Sequence, residues 1–119
     1  MKYSKDERAQ FVRDLRAAGE LFAAGTSESE LMDSHASLMS RYSFANVCRI
    51  LSQNPSASVV AGFRQWEESG RNVAKGSKAI YILAPMARKN DDGDMVKVGF
   101  RCVAVFDISQ TIVSELALV

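Results

Sequence analysis

The fold is decided by the run AIYILAPMARKNDDGDMVKVGFRCVAVF, which spans residues 79–106. Two β-prone stretches, 79–87 and 95–106, flank the segment KNDDGD, whose Asn, Asp and Gly residues are typical of turns. In the second stretch, every other side chain from Val96 to Phe106 is apolar. The pattern predicts a long antiparallel β-hairpin in which Cys102 and Phe106 face the core.

The residues before this hairpin have helical patterns. Three helices are predicted, each beginning at or just after a serine that can cap it: residues 4–25, 27–42 and 43–54. In the first two, a glutamate follows the serine three residues later, which is the spacing of a capping box. Between Pro55 and the hairpin, SVVAGF favours a short strand and RQWEESG one more helical piece.

Length and composition indicate one globular domain. The chain has 119 residues, of which 47% are hydrophobic and 24% charged, enough to bury a core. We therefore predict a single α+β domain over 1–119, helical in 1–54 and mixed in 55–119. Its N-terminal helices pack on a small antiparallel sheet that contains the long hairpin.

The charges are unevenly distributed along a nearly neutral chain. The net charge is only +1, yet residues 41–89 contain eight basic and two acidic side chains, while both flanking segments are acidic. The same middle segment contains five aromatic residues: Tyr42, Phe44, Phe63, Trp66 and Tyr81. Cations and rings together suit a single-stranded nucleic acid, whose phosphates and bases they can bind. The alternative is that the rings belong to the core and the cations to its solvated rim.

The sequence lacks the motifs of the common enzyme classes. His35 is the single histidine, no H-E-x-x-H or cluster of metal ligands occurs, and GRNVAKGSK does not have the order of a nucleotide-binding P-loop. We therefore expect no catalytic residues, no metal and no cofactor. The two cysteines have no C-x-x-C spacing, and neither an apolar leader nor a membrane-spanning run is present. These features predict free thiols in the cytoplasm and no membrane contact.

Three separated blocks carry a resemblance to a known family. They are YSFANVCRIL from Tyr42, VVAGFRQWEESGRNVAKGSKAIYILAP from Val59, and FRCVAVFDISQT from Phe100. In this order they resemble the N-terminal domain of the ArdC antirestriction proteins of plasmids and phages, over about 70 of the 119 residues. That family has the patterns Y-S-x-x-N, W-x-x-x-G-x-x-V-x-K-G-x-K and V-F-D-x-S-Q-T.

The resemblance implies a function and a site. The family's domain is described as binding single-stranded DNA, usually before a zinc metallopeptidase-like domain whose H-E-x-x-H motif this sequence lacks. We expect polar side chains of the basic middle and of the matching blocks to contact DNA, with two tyrosines as stacking rings. The predicted site consists of Tyr42, Asn46, Arg49, Arg64, Arg71, Lys75, Lys78, Tyr81 and Gln110.

A second function stays open beside DNA binding. A small plasmid or phage protein could also block a host restriction or CRISPR nuclease directly, as a protein–protein inhibitor. The partner is then a host defence nuclease in place of single-stranded DNA. A mobility shift with a labelled oligonucleotide separates the two, because an inhibitor that binds only protein gives no shift.

Overall fold

The computed structural model of the chain describes residues 3–115. The first half of this region contains α1 Lys5–Ala24, α2 Glu28–Ser34, α3 Ala36–Arg41 and α4 Phe44–Gln53. The second half contains β1 Val60–Gly62, α5 Phe63–Glu68, β2 Arg71–Val73, β3 Ile80–Lys89, β4 Met95–Asp107, a 3-10 turn at Ile108–Gln110 and β5 Thr111–Val113. The predicted α+β class is confirmed.

Serine side chains begin the helices as the sequence predicts. Ser4 and Glu7 form a reciprocal capping box, in which the Ser4 hydroxyl accepts from the Glu7 N–H at 3.0 Å and the Glu7 carboxylate accepts from the Ser4 N–H at 2.9 Å. The Ser43 hydroxyl likewise accepts from the Asn46 N–H at 3.2 Å and begins α4. Each bond satisfies a backbone donor that the first turn of a helix leaves free.

The predicted extent of the second helix is wrong, because the helix is interrupted at His35 and forms two shorter helices, α2 and α3. There the backbone has φ −136° and ψ 49°, and α2 ends where α3 begins. The hydroxyl of Ser34 donates to the Glu30 carbonyl at 2.9 Å and lies 2.8 Å from Nδ1 of His35. A serine bonded in this way to the preceding turn competes with continuation of the helix.

The predicted hairpin is confirmed and forms the main sheet. Strands β3 and β4 pair antiparallel from Ile80 opposite Val105 to Lys89 opposite Met95. Strand β1 pairs with the C-terminal end of β4, on the edge opposite β3, so that the strand order is β1-β4-β3. Strands β2 and β5 form a separate two-stranded antiparallel sheet.

A β-bulge interrupts the alternation of side chains along β4. Met86 pairs with Gly99 but the next residue, Ala87, pairs with Lys97, so Val98 is an extra residue in β4. Since side chains alternate along a strand, the extra residue moves Val96 and Phe100 to opposite faces of the sheet. The apparently continuous alternation of the sequence therefore does not mark one face.

The prediction that Cys102 and Phe106 face the core is wrong, because in the regularly paired part of β4 it is Val103 and Val105 that point toward the core. The core side of the sheet consists of Ile80, Ile82, Val103 and Val105, packed with residues of α2, α3 and α4 such as Leu31, Leu38, Val47 and Leu51. Cys102 and Phe106 are half-buried and lie on the opposite side. That side, called here the α1 face, carries Tyr81 and Phe100, and α1 contacts both of them through Phe11 and Arg16.

Two further expectations from the sequence concern the thiols and the membrane. Cys48 is fully buried and Cys102 half-buried, both are free, and burial raises the pKa of each thiol. Among the helices of residues 3–115, none combines the length and apolarity that a bilayer-spanning segment needs.

Candidate nucleic-acid interface

A cleft of about 450 Å³ opens between α1, the end of α4 and the segment that leads into β3. Its walls are formed by Phe11, Gln53, Asn54, Lys78, Ala79, Ile80, Tyr81 and Gln110. Three residues of the predicted site, Lys78, Tyr81 and Gln110, thus come together here, although 32 residues separate the last of them from the first. We call this group of residues the cleft.

Two aromatic rings form the apolar part of the cleft. The rings of Phe11 and Tyr81 meet edge to face, with centroids 5.1 Å apart and an interplanar angle of 86°. Phe11 is 42% exposed although it lies on the apolar stripe of α1, and Tyr81 is half-buried. Exposed ring area inside a concave site is what a nucleobase or another flat apolar group can stack on.

Two exposed lysines supply positive charge, Lys78 on the wall of the cleft and Lys75 in the turn just before it. Ala74 to Ser77 form a tight turn in which the Ser77 N–H donates to the Ala74 carbonyl at 3.1 Å. Gly76 has a φ of +86°, a left-handed conformation that disfavours other residues, and its position in the turn leaves Lys75 projecting into solvent. The side chains of Lys75 and Lys78 are exposed, and neither has a partner within the described region.

Gln110 holds this turn in place with nearly all of its polar groups. Its side-chain amide donates to the Lys78 carbonyl at 2.7 Å and accepts from the Asp107 N–H at 2.8 Å, while its own carbonyl accepts from the Ala74 N–H at 2.8 Å. Gln110 therefore fastens the lysine-bearing segment to the end of β4. This geometry gives it a positioning role toward Lys75 and Lys78.

Asp107 is the anchor of the same segment, and the sequence analysis did not single it out. Its carboxylate is 2% exposed and accepts from the Ser58 N–H at 2.8 Å and from the Ser109 N–H and hydroxyl at 3.0 and 2.6 Å. Burial by itself raises the pKa of this carboxyl, but the hydrogen bonds from Ser109, Ser58 and Val59 outweigh it and hold the pKa below its ordinary value. The D and S of the V-F-D-x-S-Q-T pattern thus form a buried network beneath the cleft.

Asn46 docks α4 on the outer edge of β3. Its side-chain amide donates to the Leu83 carbonyl at 2.9 Å and accepts from the Leu83 N–H at 3.0 Å, as a neighbouring strand would. Gln53, two turns later, forms the same pair of bonds with Tyr81, at 2.7 and 2.9 Å. The two amides satisfy an edge whose backbone groups otherwise lack partners.

Arg49 lies between α1 and α4 with little access to a ligand. One guanidinium nitrogen donates to the Asn46 side-chain oxygen at 2.7 Å, while Nε is buried without a partner in the described structure. A Cβ at Gly19 of α1 would come within 2.7 Å of Cγ of Arg49, so glycine is needed for the helices to approach this closely. Burial, and then the nearby Arg16, lower the pKa of Arg49.

The remaining predicted residues lie away from the cleft. The Tyr42 hydroxyl donates to the Val60 carbonyl at 2.9 Å, the ring packs against the core, and burial raises the pKa of the phenol. Arg71 in β2 donates through Nε to the Thr111 hydroxyl at 2.7 Å. Arg64 in α5 is exposed, and the described structure shows no partner for its side chain.

The structure thus brings three of the nine predicted residues to the cleft, Lys78, Tyr81 and Gln110, and leaves Lys75 exposed in the turn just before Lys78. Sequence reasoning missed Phe11 and Gln53 as members of the site. Phe11 recurs at helical spacing with Leu15, Ala18 and Phe22, a pattern that favours burial, so no sequence signal marks its ring as exposed. In residues 3–115 the structure shows no group of three or more His, Cys, Asp or Glu side chains placed to hold a metal ion.

Comparison with known proteins identifies a family for most of the chain. The model of the N-terminal domain of the anti-restriction factor ArdC matches residues 12–106, which include Lys75, Lys78 and Tyr81 but neither Phe11 nor Gln110. No curated protein sequence matches the chain.

Among solved structures, the chain is similar to the metal-free crystal structure of the antirestriction ArdC protein from the R388 plasmid. The TM-score is 0.40 at 19% sequence identity, over 61% of this chain. The similar region spans only 29% of that protein's length.

Proposed function

The chain belongs to the family of the N-terminal domain of the anti-restriction factor ArdC, and from that premise we propose that it binds single-stranded DNA in an antirestriction role for a plasmid or phage. The observation that carries the proposal is the cleft, in which the exposed ring of Phe11 and the half-buried ring of Tyr81 lie beside Lys78. The family match supports the antirestriction setting, and the cleft supports the ligand.

The cleft combines the two interactions that a single strand needs. Lys78 on the wall of the cleft and Lys75 in the turn before it have exposed side chains without a partner among residues 3–115, so phosphates can displace water there without first breaking an ion pair. A base that enters the cleft can stack on Phe11 or Tyr81, an interaction worth about 1–3 kcal/mol per base. In a duplex the bases are already paired and stacked, so the rings would have nothing to bind without unstacking them.

A salt titration tests the electrostatic half of this proposal. We expect replacement of both Lys75 and Lys78 with Ala to weaken the binding of all single-stranded sequences similarly. Each lost phosphate contact should lower the salt-dependence slope by about 0.7, because fewer counterions are released. The measurement is fluorescence anisotropy with a labelled oligonucleotide at several salt concentrations.

The control is a variant that removes the same charge elsewhere. Arg88 and Lys89 are exposed at the far end of β3, about 20–30 Å from the cleft at the ordinary rise of a strand. Replacing both with Ala should leave single-strand affinity within about twofold. Equal losses in the two double variants, or no change in the Lys75 and Lys78 variant, would remove the cleft as the binding site.

A further inference from the structure

The outer edge of β3 binds side-chain amides at two successive outward positions. Asn46 exchanges two hydrogen bonds with the backbone of Leu83, and Gln53 does the same with Tyr81. In each pair the amide nitrogen donates to the strand carbonyl, while the amide oxygen accepts from the N–H of the same strand residue. This edge thus binds a flat group that carries a donor and an acceptor side by side.

The next outward position of the same edge is Ala79, and it has no such partner. Backbone groups alternate in direction along a strand, so those of Ala79 point outward like those of Tyr81. The neighbours agree with this direction, because Ile80 pairs with β4 and the Lys78 carbonyl accepts from Gln110 at the end of β4. In the part of the chain that the structure describes, neither the N–H nor the C=O of Ala79 has a hydrogen-bond partner.

These two free backbone groups belong to the wall of the cleft. Ala79 is half-buried and lines the same cavity as the rings of Phe11 and Tyr81. A backbone donor and acceptor that are partly removed from solvent favour a ligand that can bond to both. The cleft therefore combines ring surface with an unused donor and acceptor.

The positions on either side limit what can bind to Ala79. A partner strand would pair next with Tyr81, but Gln53 already occupies that position. In the other direction the chain enters the turn, where the Ser77 N–H is bonded to the Ala74 carbonyl. The edge is thus open for a single residue, which is too short for a strand and sufficient for one planar group.

The Watson–Crick edge of a nucleobase is a planar group of this kind. Each of the four DNA bases presents a donor next to an acceptor on that edge; in thymine they are N3–H and O4. A duplex uses these atoms for base pairing, whereas a single strand leaves them free for a protein to bond.

We propose that Ala79 binds the Watson–Crick edge of one unpaired base. Its N–H donates to the acceptor of the base and its C=O accepts from the donor, while the rings of Phe11 and Tyr81 contact the face of the base. This inference rests on the proposed function and adds to it that the cleft requires a free base edge, of any of the four bases, in addition to stacking and phosphate contacts.

Thymine methylated at N3 tests the edge contact separately from the other two. The methyl group removes the donor and covers the pairing edge, but it leaves the phosphates and the flat ring in place. We expect an oligonucleotide of N3-methylthymidine to bind at least about tenfold more weakly than oligo(dT), with the same salt-dependence slope. Binding of oligo(dT) to ¹⁵N-labelled protein should shift the amide of Ala79 and slow its hydrogen exchange.

Two proline variants supply the matched pair. Ala79→Pro removes the N–H in the cleft, and Ala87→Pro removes an outward N–H of the same strand outside the cleft. Pro85 already occupies an outward position of β3, so this edge accommodates proline. We expect Ala79→Pro to bind both oligonucleotides as weakly as wild type binds the methylated one, and Ala87→Pro to retain the full difference.

The wild-type measurements decide the proposal whether or not the proline variants fold. If oligo(dT) and its methylated form bind equally, the edge contact is overturned while DNA binding stands. The edge contact is also overturned if oligo(dT) binds without slowing exchange at the Ala79 amide, or if a blocked glutamine slows it and oligo(dT) does not. If neither oligonucleotide binds below millimolar concentration, the proposed function fails together with this inference, so the two failures can be distinguished.

Discussion

Asp107 shows how one buried carboxylate organises the site from below. Its oxygens accept hydrogen bonds from Ser58, Val59 and Ser109, and these bonds keep its pKa below the ordinary value of 3.8. An amide at this position would turn a donor toward the Ser109 N–H. We therefore expect Asp107→Asn to lower the free energy of unfolding at pH 7 by about 1–3 kcal/mol, measured by urea denaturation.

The same residue predicts a pH dependence whose sign follows from its lowered pKa. The folded state holds the Asp107 proton less tightly than the unfolded state does, so the carboxylate stabilises the fold fully above about pH 3.8. That stability is lost as the pH falls through the folded-state pKa. The difference between wild type and Asp107→Asn should therefore shrink in acid. Asp92→Asn, at the exposed turn of the hairpin, should change stability by less than about 0.5 kcal/mol at either pH. A constant difference across the pH range would contradict this role for Asp107.

For individual site residues, the sequence identified which residues belong near the site more readily than it identified what each of them contacts. Lys75 and Lys78 were selected as cations of the basic middle, and the structure leaves both side chains exposed but places only Lys78 on the wall of the cleft. Gln110 was selected for DNA contact, but its amide is bonded to Lys78 and Asp107, and its partnership with Lys78 spans 32 residues of sequence. No local sequence pattern reveals a hydrogen bond between residues so far apart in the chain. The sequence alone therefore identified the segment but not the hydrogen bonds that hold it.

At the scale of elements, the docking of α4 on β3 depends on two amide side chains. Asn46 pairs with the backbone of buried Leu83, and Gln53 pairs with that of the more exposed Tyr81. We expect Asn46→Ala to lower the free energy of unfolding by about 1–3 kcal/mol, since it leaves the buried N–H and C=O of Leu83 without hydrogen-bond partners. Gln53→Ala should cost less, because water can replace the lost amide. Urea denaturation measures both values.

Hydrogen exchange supplies the element-specific readout for this docking. The Leu83 amide should lose protection in Asn46→Ala and the Tyr81 amide in Gln53→Ala, each without loss at the other position. If both variants lowered protection uniformly across the molecule, the side-chain amides of Asn46 and Gln53 would not each hold α4 locally on the β3 edge.

Elements were predictable where their signals are local. Serine caps, the turn-forming KNDDGD segment and apolar periodicity predicted α1, α4 and the hairpin, because each pattern lies within a few residues of its effect. The bulge next to Met86 was missed, because a single glycine at position 99 is not enough to predict an unpaired residue in β4. The face of Cys102 and Phe106 was missed for a separate reason: Val103 and Val105 are apolar too, so the alternation does not distinguish the core face of β4 from the other face. The break at His35 was missed because it depends on which acceptor the Ser34 hydroxyl selects.

At the scale of the whole molecule, the basic middle of the sequence is dispersed by folding. Its cations separate into Lys78 on the wall of the cleft, Lys75 in the turn before it, Arg88 and Lys89 at the far end of β3, and others on α3, α4, α5 and β2. A net charge of only +1, with these cations spread over several elements, does not favour a duplex for its higher charge density. Affinity for nucleic acid must therefore depend strongly on the rings of the cleft.

This distribution of charges and rings predicts that the protein prefers single-stranded over duplex DNA and that the Tyr81 ring is responsible for the preference. We expect a single-stranded oligonucleotide to bind more tightly than its matching duplex at moderate salt, and Tyr81→Leu, which keeps apolar volume but removes the ring, to reduce that preference by about 1–3 kcal/mol. Tyr42→Phe is the control, because the Tyr42 ring packs against the core and its hydroxyl is bonded to Val60, so the ratio of affinities should not change. Parallel titrations of both ligands against the three proteins measure the ratio. If duplex and single strand bind equally and Tyr81→Leu has no effect, stacking in the cleft is wrong and only an electrostatic contact at Lys75 and Lys78 is left. If neither ligand binds below millimolar concentration, DNA is not the target, and direct inhibition of a defence nuclease becomes the function to test.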